Sequence, residues 1–187
     1  MFRRERPQKG RYRQFNQMNF EILGSDDEAS DVDLILLAKN ILKDLLPKKE
    51  IILQINSLGD RDTLGKFKES LKIYFAKYKF DLSDESQEKI NSNPLRILDS
   101  KDKKDIEVNL NAPKISNFYS EEAKKYFDII KLLLDQSSLN FEINNTLVRG
   151  LDYYCHTVFE FKTKDLGSQD TLIGGGRYNG LVKMIGG

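Results

Sequence analysis

Strand-like runs stand on both sides of a long helix-forming stretch, so any sheet this chain makes must join residues from distant parts of the sequence. Residues 50–56 are a β-branched apolar run closed by Ser57-Leu58-Gly59. Strand character returns only at 139–145, 156–161 and 171–173, the last leading into Gly174-Gly175-Gly176. Between them the sequence is charged and helical in period. Leu64, Phe67, Leu71, Tyr74, Phe75 and Tyr78 fall on one stripe, which is expected to pack a core, and Tyr126, Ile129, Ile130 and Leu133 fall on another. Asn93-Pro94 and Ala112-Pro113 punctuate this stretch. The expected organisation is α+β: a first core part at 1–59, a mostly helical insertion at 60–138 and a second core part at 139–187.

Residues 13–23 alternate. Phe15, Gln17, Asn19 and Glu21 share one face, and Met18, Phe20 and Ile22 share the other, which is expected to enter the core. Residues 2–5 are expected to pair with this strand across a loop at 7–12, where Pro7 and Gly10 interrupt regular pairing. Ser30-Asp31-Val32-Asp33 reads as a helix start. Leu34, Leu37, Ala38, Ile41, Leu42 and Leu45 recur at helical spacing up to Pro47, which predicts a helix covering the apolar face of the sheet.

Charge is concentrated at the head of the chain. Residues 2–17 hold six cations and one anion, or +5, within a total of +1, so the other 171 residues carry 24 − 28 = −4. Five of the six cations are arginines, whose planar fork suits bidentate contact with phosphate or carboxylate. A polyanionic substrate, a nonspecific nucleic-acid patch and a solvated face all fit this charge.

The 39% hydrophobic and 32% charged content reads as a soluble globular protein, with no aliphatic run long enough to span a membrane. A basic start followed by polar residues does not read as a signal peptide, so a cytoplasmic location is expected. One cysteine and one histidine exclude an internal disulfide and a protein-only zinc site of four ligands. Cys155 and His156 are neighbours on a strand and point to opposite faces, so they are not read as a catalytic pair.

Three groups of residues can carry chemistry. At about 3.3 Å per strand residue, Phe15 to Gln17 spans ~7 Å and Gln17 to Glu21 ~13 Å, enough for an extended ligand to lie along that face. Phe15 offers a stacking surface, Gln17 a donor and an acceptor, and Glu21 a carboxylate; a solvated polar face is the alternative. The second group is Arg149-Gly150-Leu151-Asp152-Tyr153-Tyr154, where Arg149 suits an anion, Asp152 can orient it and the phenols can shape a small polar pocket. A capped strand edge with a local Arg–Asp pair reads equally well. The third is Gly174-Gly175-Gly176-Arg177-Tyr178-Asn179-Gly180, where a ligand can approach the backbone or the chain can simply turn.

Taken in order, these segments resemble histidyl-tRNA synthetase, a class II aminoacyl-tRNA synthetase. Residues 2–17 look like class II motif 2, residues 149–154 match the family's histidine-specific segment and residues 175–180 its glycine-rich histidine-pocket segment. Asn56-Ser57-Leu58-Gly59 and Asn93-Pro94-Leu95-Arg96-Ile97-Leu98-Asp99-Ser100 extend the likeness through the insertion. The resemblance implies part of an antiparallel catalytic sheet flanked by helices, and a ligase that activates histidine with Mg2+-bound ATP and transfers it to tRNA(His). It implies that Arg3 holds the α-phosphate, Arg11 and Tyr12 lie near the outer phosphates and Phe15 stacks on adenine. Gln17, Glu21, Tyr153, Tyr154 and Tyr178 would surround histidine, Arg149 would bridge its carboxylate and the α-phosphate, and Arg6 and Gln8 would reach the tRNA acceptor stem.

The sequence departs from the family pattern at Asn16, where His is common, at Asn19, where Gly is common, and at Asn179, where Asp is usual. Position 156 commonly carries Arg, Lys or Gly, so His156 is not expected to be catalytic. The resemblance also implies a fragment running from motif 2 to the glycine-rich segment, inactive alone, taken from an enzyme that is a homodimer at full length. The alternative is the noncatalytic synthetase-like regulatory subunit of ATP phosphoribosyltransferase, which tends to lose the ATP and tRNA determinants retained here in Arg3, Arg11, Phe15 and Arg149.

Overall fold

The computed structural model describes residues 1–4, 12–149, 153–166 and 170–187. Its strands are β1 (Ile52–Ser57), β2 (Glu142–Ile143), β3 (Cys155–Lys162) and β4 (Thr171–Arg177), in the spatial order β2-β1-β3-β4. The central strand β3 runs antiparallel to both neighbours, with Phe159 opposite Ile55 and Gly175, and Glu160 opposite Gly174. The β1–β2 pair is parallel, so the sheet is mixed and not wholly antiparallel as the resemblance implies. The connection explains this: β2 is reached by a crossover through the helices, and a crossover returns the chain in the same direction.

Helices cover both faces. On one, α1 (Glu28–Leu45) and α6 (Glu121–Gln136) pack Val32, Ile35, Ala38, Leu42, Phe127, Ile130 and Leu134 against Leu53, Ile55, Phe159 and Phe161. Helix α1 starts two residues before the expected Ser30, because the Asp27 carboxylate caps it by accepting from the Ser30 backbone N–H at 2.8 Å. Its buried stripe is also rotated from the expected one. Ile35 is at the centre, Leu34 and Ile41 flank it half-buried, and Leu37 and Leu45 face outward.

On the other face, α2 (Arg61–Lys77) buries Phe67, Leu71 and Phe75 as its periodicity predicts. It packs with α3 (Asp84–Ser92), α4 (Leu95–Leu98) and α5 (Lys103–Asn109), and the same core takes in Leu147, Val148 and Val158. The half-buried Tyr74 donates its hydroxyl to Val108 O at 2.9 Å, so this aromatic stripe is packing. A polar knot joins the short helices: fully buried Asp105 accepts from Ser83 N, Ser83 Oγ, Ser86 Oγ and Ser100 Oγ at 2.5–2.8 Å. Burial pushes this carboxyl up, but the donors from Ser100, Ser86 and Ser83 outweigh it and hold it below the usual carboxylate value.

The first strand and the helices meet at one tight turn. Gly59 has φ +64°, and a Cβ there would lie 2.5 Å from Thr63 Cγ2, so both conformation and space call for glycine. Asp60 then caps α2 through Thr63 N at 2.7 Å and also accepts from Ser120 Oγ, while Ser120 caps α6 through Ala123 N at 3.0 Å. At the far end of the sheet, buried Arg177 clasps the start of α1. Its Nε donates to Asp31 Oδ1 at 3.0 Å, Nη1 to Ser25 O at 2.9 Å and Nη2 to Asp27 O at 2.8 Å.

The N-terminal arms pair as expected. Phe2 lies opposite Gln14, Arg3 N donates to Arg13 O at 2.9 Å and Phe15 N donates to Met1 O at 3.0 Å. The loop at residues 5–11 lies outside the described residues. The strand expected to continue to residue 23 does not form: 16–23 belong to no regular element, and Met18, Phe20 and Ile22, expected in the core, are 72%, 48% and 43% exposed. Alternation assigns sides but supplies no ladder partner. Among the described residues none pairs with 16–23, and the buried stripe of α1 is already committed to β1 and β3. No described helix is long and apolar enough to cross a membrane.

Candidate functional site

The second and third sequence groups converge across the sheet. Strand β4 carries all three glycines, so Gly174-Gly175-Gly176 is strand and not turn, and the turn follows at residues 179–180. Each glycine makes room for a particular neighbour. A Cβ on Gly174 would lie 2.8 Å from Arg149 Nη1, one on Gly175 would lie 2.7 Å from the Phe159 ring, and one on Gly176 would lie 2.6 Å from Thr157 O and 3.2 Å from Tyr154 Cδ1. Gly174 and Gly176 share a face by strand alternation, and that face receives Arg149 and Tyr154.

Arg149 lies in the stretch after β2 that has no regular structure, and its fork is held from two sides. Nη1 donates to Glu160 Oε1 at 3.1 Å, and the guanidinium carbon stands 5.6 Å from the centre of the Tyr154 ring. The carboxylate that holds Arg149 is thus Glu160 on β3; Asp152, expected in that role, lies outside the described residues. The Tyr153 and Tyr154 rings are 4.9 Å apart, and Tyr178 meets both edge-on at 6.0 and 6.1 Å. Partial burial and the Tyr154 phenol hold the Tyr153 hydroxyl above the usual tyrosine value, Arg149 opposing and Glu21 reinforcing. Glu21 thus acts electrostatically on the Tyr153 hydroxyl. A cleft of about 600 Å³ opens beside Arg149, lined also by Lys89, Arg96, Asp99, Ser100 and Val148.

The first group is organised around Arg3. Its guanidinium carbon lies 4.4 Å from the centre of the Phe15 ring, and its Nε donates to Tyr12 O at 3.0 Å. Gln17 Nε2 donates to Asn19 Oδ1 at 2.6 Å, so the family departure at Asn19 bears directly on the orientation of Gln17. Arg6, Gln8 and Arg11 lie outside the described residues. Asn179, a second departure, accepts from Arg177 Nη1 at 3.3 Å and so belongs to the clasp on α1.

His156 is packed against α6. It has φ +47° and stacks on Tyr126 at 4.5 Å, and burial lowers its pKa against the pull of Asp60. Sequence reasoning missed Glu160. The signal was there, since β3 reads Val158, Glu160, Lys162 along one face, and a carboxylate two residues from a fully buried valine needs a cation. Among the described residues, no group of three or more His, Cys, Asp or Glu side chains is placed to hold a metal ion.

No family model matches the sequence. Individual proteins do. The chain is 52% identical, over 186 residues, to the histidine–tRNA ligase of Wolbachia pipientis wMel, covering 100% of this chain and 46% of that protein. It is 52% identical over 187 residues to the histidine–tRNA ligase of Ehrlichia ruminantium (strain Gardel), covering 100% of this chain and 45% of that protein. Among solved structures, apo histidyl-tRNA synthetase of S. aureus matches with a TM-score of 0.67 at 30% identity, over 88% of this chain and 40% of that one. The chain thus spans less than half the length of the curated relatives it matches. Over its whole length, and with the α+β fold in common, the chain is thus similar to a segment of histidine–tRNA ligases.

Proposed function

We propose that this chain is part of the catalytic domain of a cytoplasmic, homodimeric histidine–tRNA ligase, with residues 60–138 inserted between its two core parts. The first reaction joins the histidine carboxylate to the α-phosphate of ATP and releases pyrophosphate; the second passes the histidyl group to the end of tRNA(His) and releases AMP. Mg2+ arrives on the phosphates of ATP. The observation that carries this reading is the Arg149 fork, seated on the bare Cα of Gly174 beside the three tyrosines.

In the proposed mechanism Arg149 binds both the attacking carboxylate and the α-phosphate. Its charge then stabilises the negative charge that builds on phosphorus oxygens as the bond forms, in a site where the group is already oriented. Arg3 supplies a second cation to the α-phosphate, Arg11 and Tyr12 attend the outer phosphates and Phe15 stacks on adenine. Gln17 and Glu21 take the amino-acid side of the pocket. Tyr153, Tyr154 and Tyr178 enclose histidine, and Arg6 and Gln8 reach toward the tRNA acceptor stem. The Arg3–Phe15 contact supports the ATP assignment, since it already pairs the cation with the aromatic face.

The test is histidine-dependent ATP–pyrophosphate exchange by a full-length ligase carrying this segment. A fall in exchange of about 100- to 1000-fold with Arg149→Ala is expected. A folded protein that binds histidine and exchanges nothing would move the reading to the regulatory subunit of ATP phosphoribosyltransferase.

A further inference from the structure

We propose that Glu160 is the positioning residue for Arg149, fixing the one edge of the guanidinium that substrate does not use; this rests on the function proposed above. Arg149 comes from a stretch without regular structure, and a free arginine side chain loses rotamer entropy when it is held still. Something rigid must hold it. Glu160 is in β3, the strand bonded on both sides, and directly opposite Gly174. The space that a side chain at 174 would fill is where Arg149 Nη1 lies, 2.8 Å from the position of the missing Cβ. The cross-strand partner of Glu160 is thus a guanidinium delivered from elsewhere, set into the gap left by glycine.

The carboxylate is itself oriented. Oε1 accepts from Arg149 Nη1 at 3.1 Å, Oε2 accepts from Thr171 Oγ1 at 3.0 Å, and Lys162 Nζ stands 3.5 Å from Oε2 and 3.5 Å from Asp170 Oδ1. Arg149 and Lys162 thereby meet Glu160 and Asp170, and Asp99, which interacts electrostatically with Arg149, Glu160 and Lys162, has Lys101 at 3.8 Å, so three cations stand with three anions. The Arg149, Glu160 and Lys162 side chains are 24%, 15% and 17% exposed, a setting in which such pairs are less screened than at the open surface. With one N–H of Nη1 committed to Glu160, the remaining donors of the fork are left for carboxylate and phosphate.

The experiment is steady-state ATP–pyrophosphate exchange by a full-length ligase carrying this segment, with Glu160→Ala, Glu160→Gln and Thr171→Val. Glu160→Ala is expected to lower kcat by roughly 10- to 100-fold with little change in KM for histidine or ATP, because the arginine remains but is no longer aimed. Glu160→Gln keeps an oxygen for Arg149, and Thr171 can turn its hydroxyl to accept from the amide, so it should recover most of that loss. Thr171→Val removes only the donor behind the carboxylate and should give a smaller loss of the same kind. In an Arg149→Ala background, Glu160→Ala should cost nothing further. An equal loss in both backgrounds, or an unchanged kcat in Glu160→Ala, overturns the positioning role. Absence of exchange in the parent enzyme instead overturns the function on which it rests.

Discussion

The two sides of the proposed site are built differently. Arg149 and its tyrosines lie against β3, a strand bonded on both sides, and β4, with a partly buried carboxylate and two glycines, Gly174 and Gly176, that make room for Arg149 and Tyr154. Arg3, Phe15, Gln17 and Glu21 stand on an exposed ribbon whose pairing stops at Phe15. The contrast teaches where preorganisation resides. The sheet side can hold a charged group still before substrate arrives, whereas the ribbon side is held by the short pairing of residues 1–3 with 13–15, the Arg3–Tyr12 and Gln17–Asn19 hydrogen bonds and the Arg3–Phe15 stack. Charge stabilisation in a transition state depends on donors that need not reorganise, so the sheet side should govern the rate and the ribbon side the binding of substrates.

The largest effect that can break this comparison is at Arg149. Arg149→Ala should lower the exchange rate of a full-length enzyme by about 100- to 1000-fold while histidine affinity, measured by calorimetry, falls far less. Equal losses in both would show that the sheet side binds and does not accelerate.

Next is the folding of the helical layer that backs the sheet side. Asp105→Ala removes the acceptor of four buried hydrogen bonds and should destabilise this chain by about 3 kcal/mol in urea unfolding. The folded carboxyl lies below its unfolded value, so its contribution is complete above the unfolded value of about 3.9 and is lost as pH falls through the folded one. Asp105→Asn should abolish that part of the acid sensitivity.

A smaller effect tests the fit at Gly174. Gly174→Ala places a methyl against the far end of the Arg149 side chain, which can shift, so unfolding should move by no more than about 1 kcal/mol while exchange drops about 10-fold. Loss of stability without loss of rate would mean that the gap serves packing. The smallest effect is on the ribbon. Asn19→Gly frees Gln17 and should change KM for histidine about two- to five-fold, as expected for one exposed hydrogen bond, with kcat unchanged.

The sheet and the helices were legible in the sequence because their signals are local. The α2 stripe at Phe67, Leu71 and Phe75, and the Gly59 turn, follow from periodicity and backbone conformation alone. Arg149 and the tyrosines were legible as a cluster of costly side chains near a glycine. Pairing was not legible: that β1 and β2 run parallel, that Met18, Phe20 and Ile22 face outward and that Glu160 meets Arg149 each depend on which segments become neighbours. Alternation fixes the side a residue takes, and says nothing of what stands opposite. The start of α1 differs from the expected one because Asp27 outcompetes Ser30 as the cap, through a hydrogen bond to Ser30 itself.

The Arg177 clasp has a consequence for how the protein is made. A ribosome releases the chain from its N-terminus, and the carbonyls of Ser25 and Asp27 and the carboxylate of Asp31 meet Arg177 only when residue 177 has left the exit tunnel. Strand β1 likewise waits for Glu142 and for Cys155–Lys162 before either edge is paired. Helices α2 to α5 can begin to assemble on one another while synthesis continues, but α1 and β1 wait with apolar surface uncovered. Chaperone demand and aggregation of nascent chains should therefore concentrate on the segment that holds α1 and β1, and slowing translation downstream of residue 60 should worsen it.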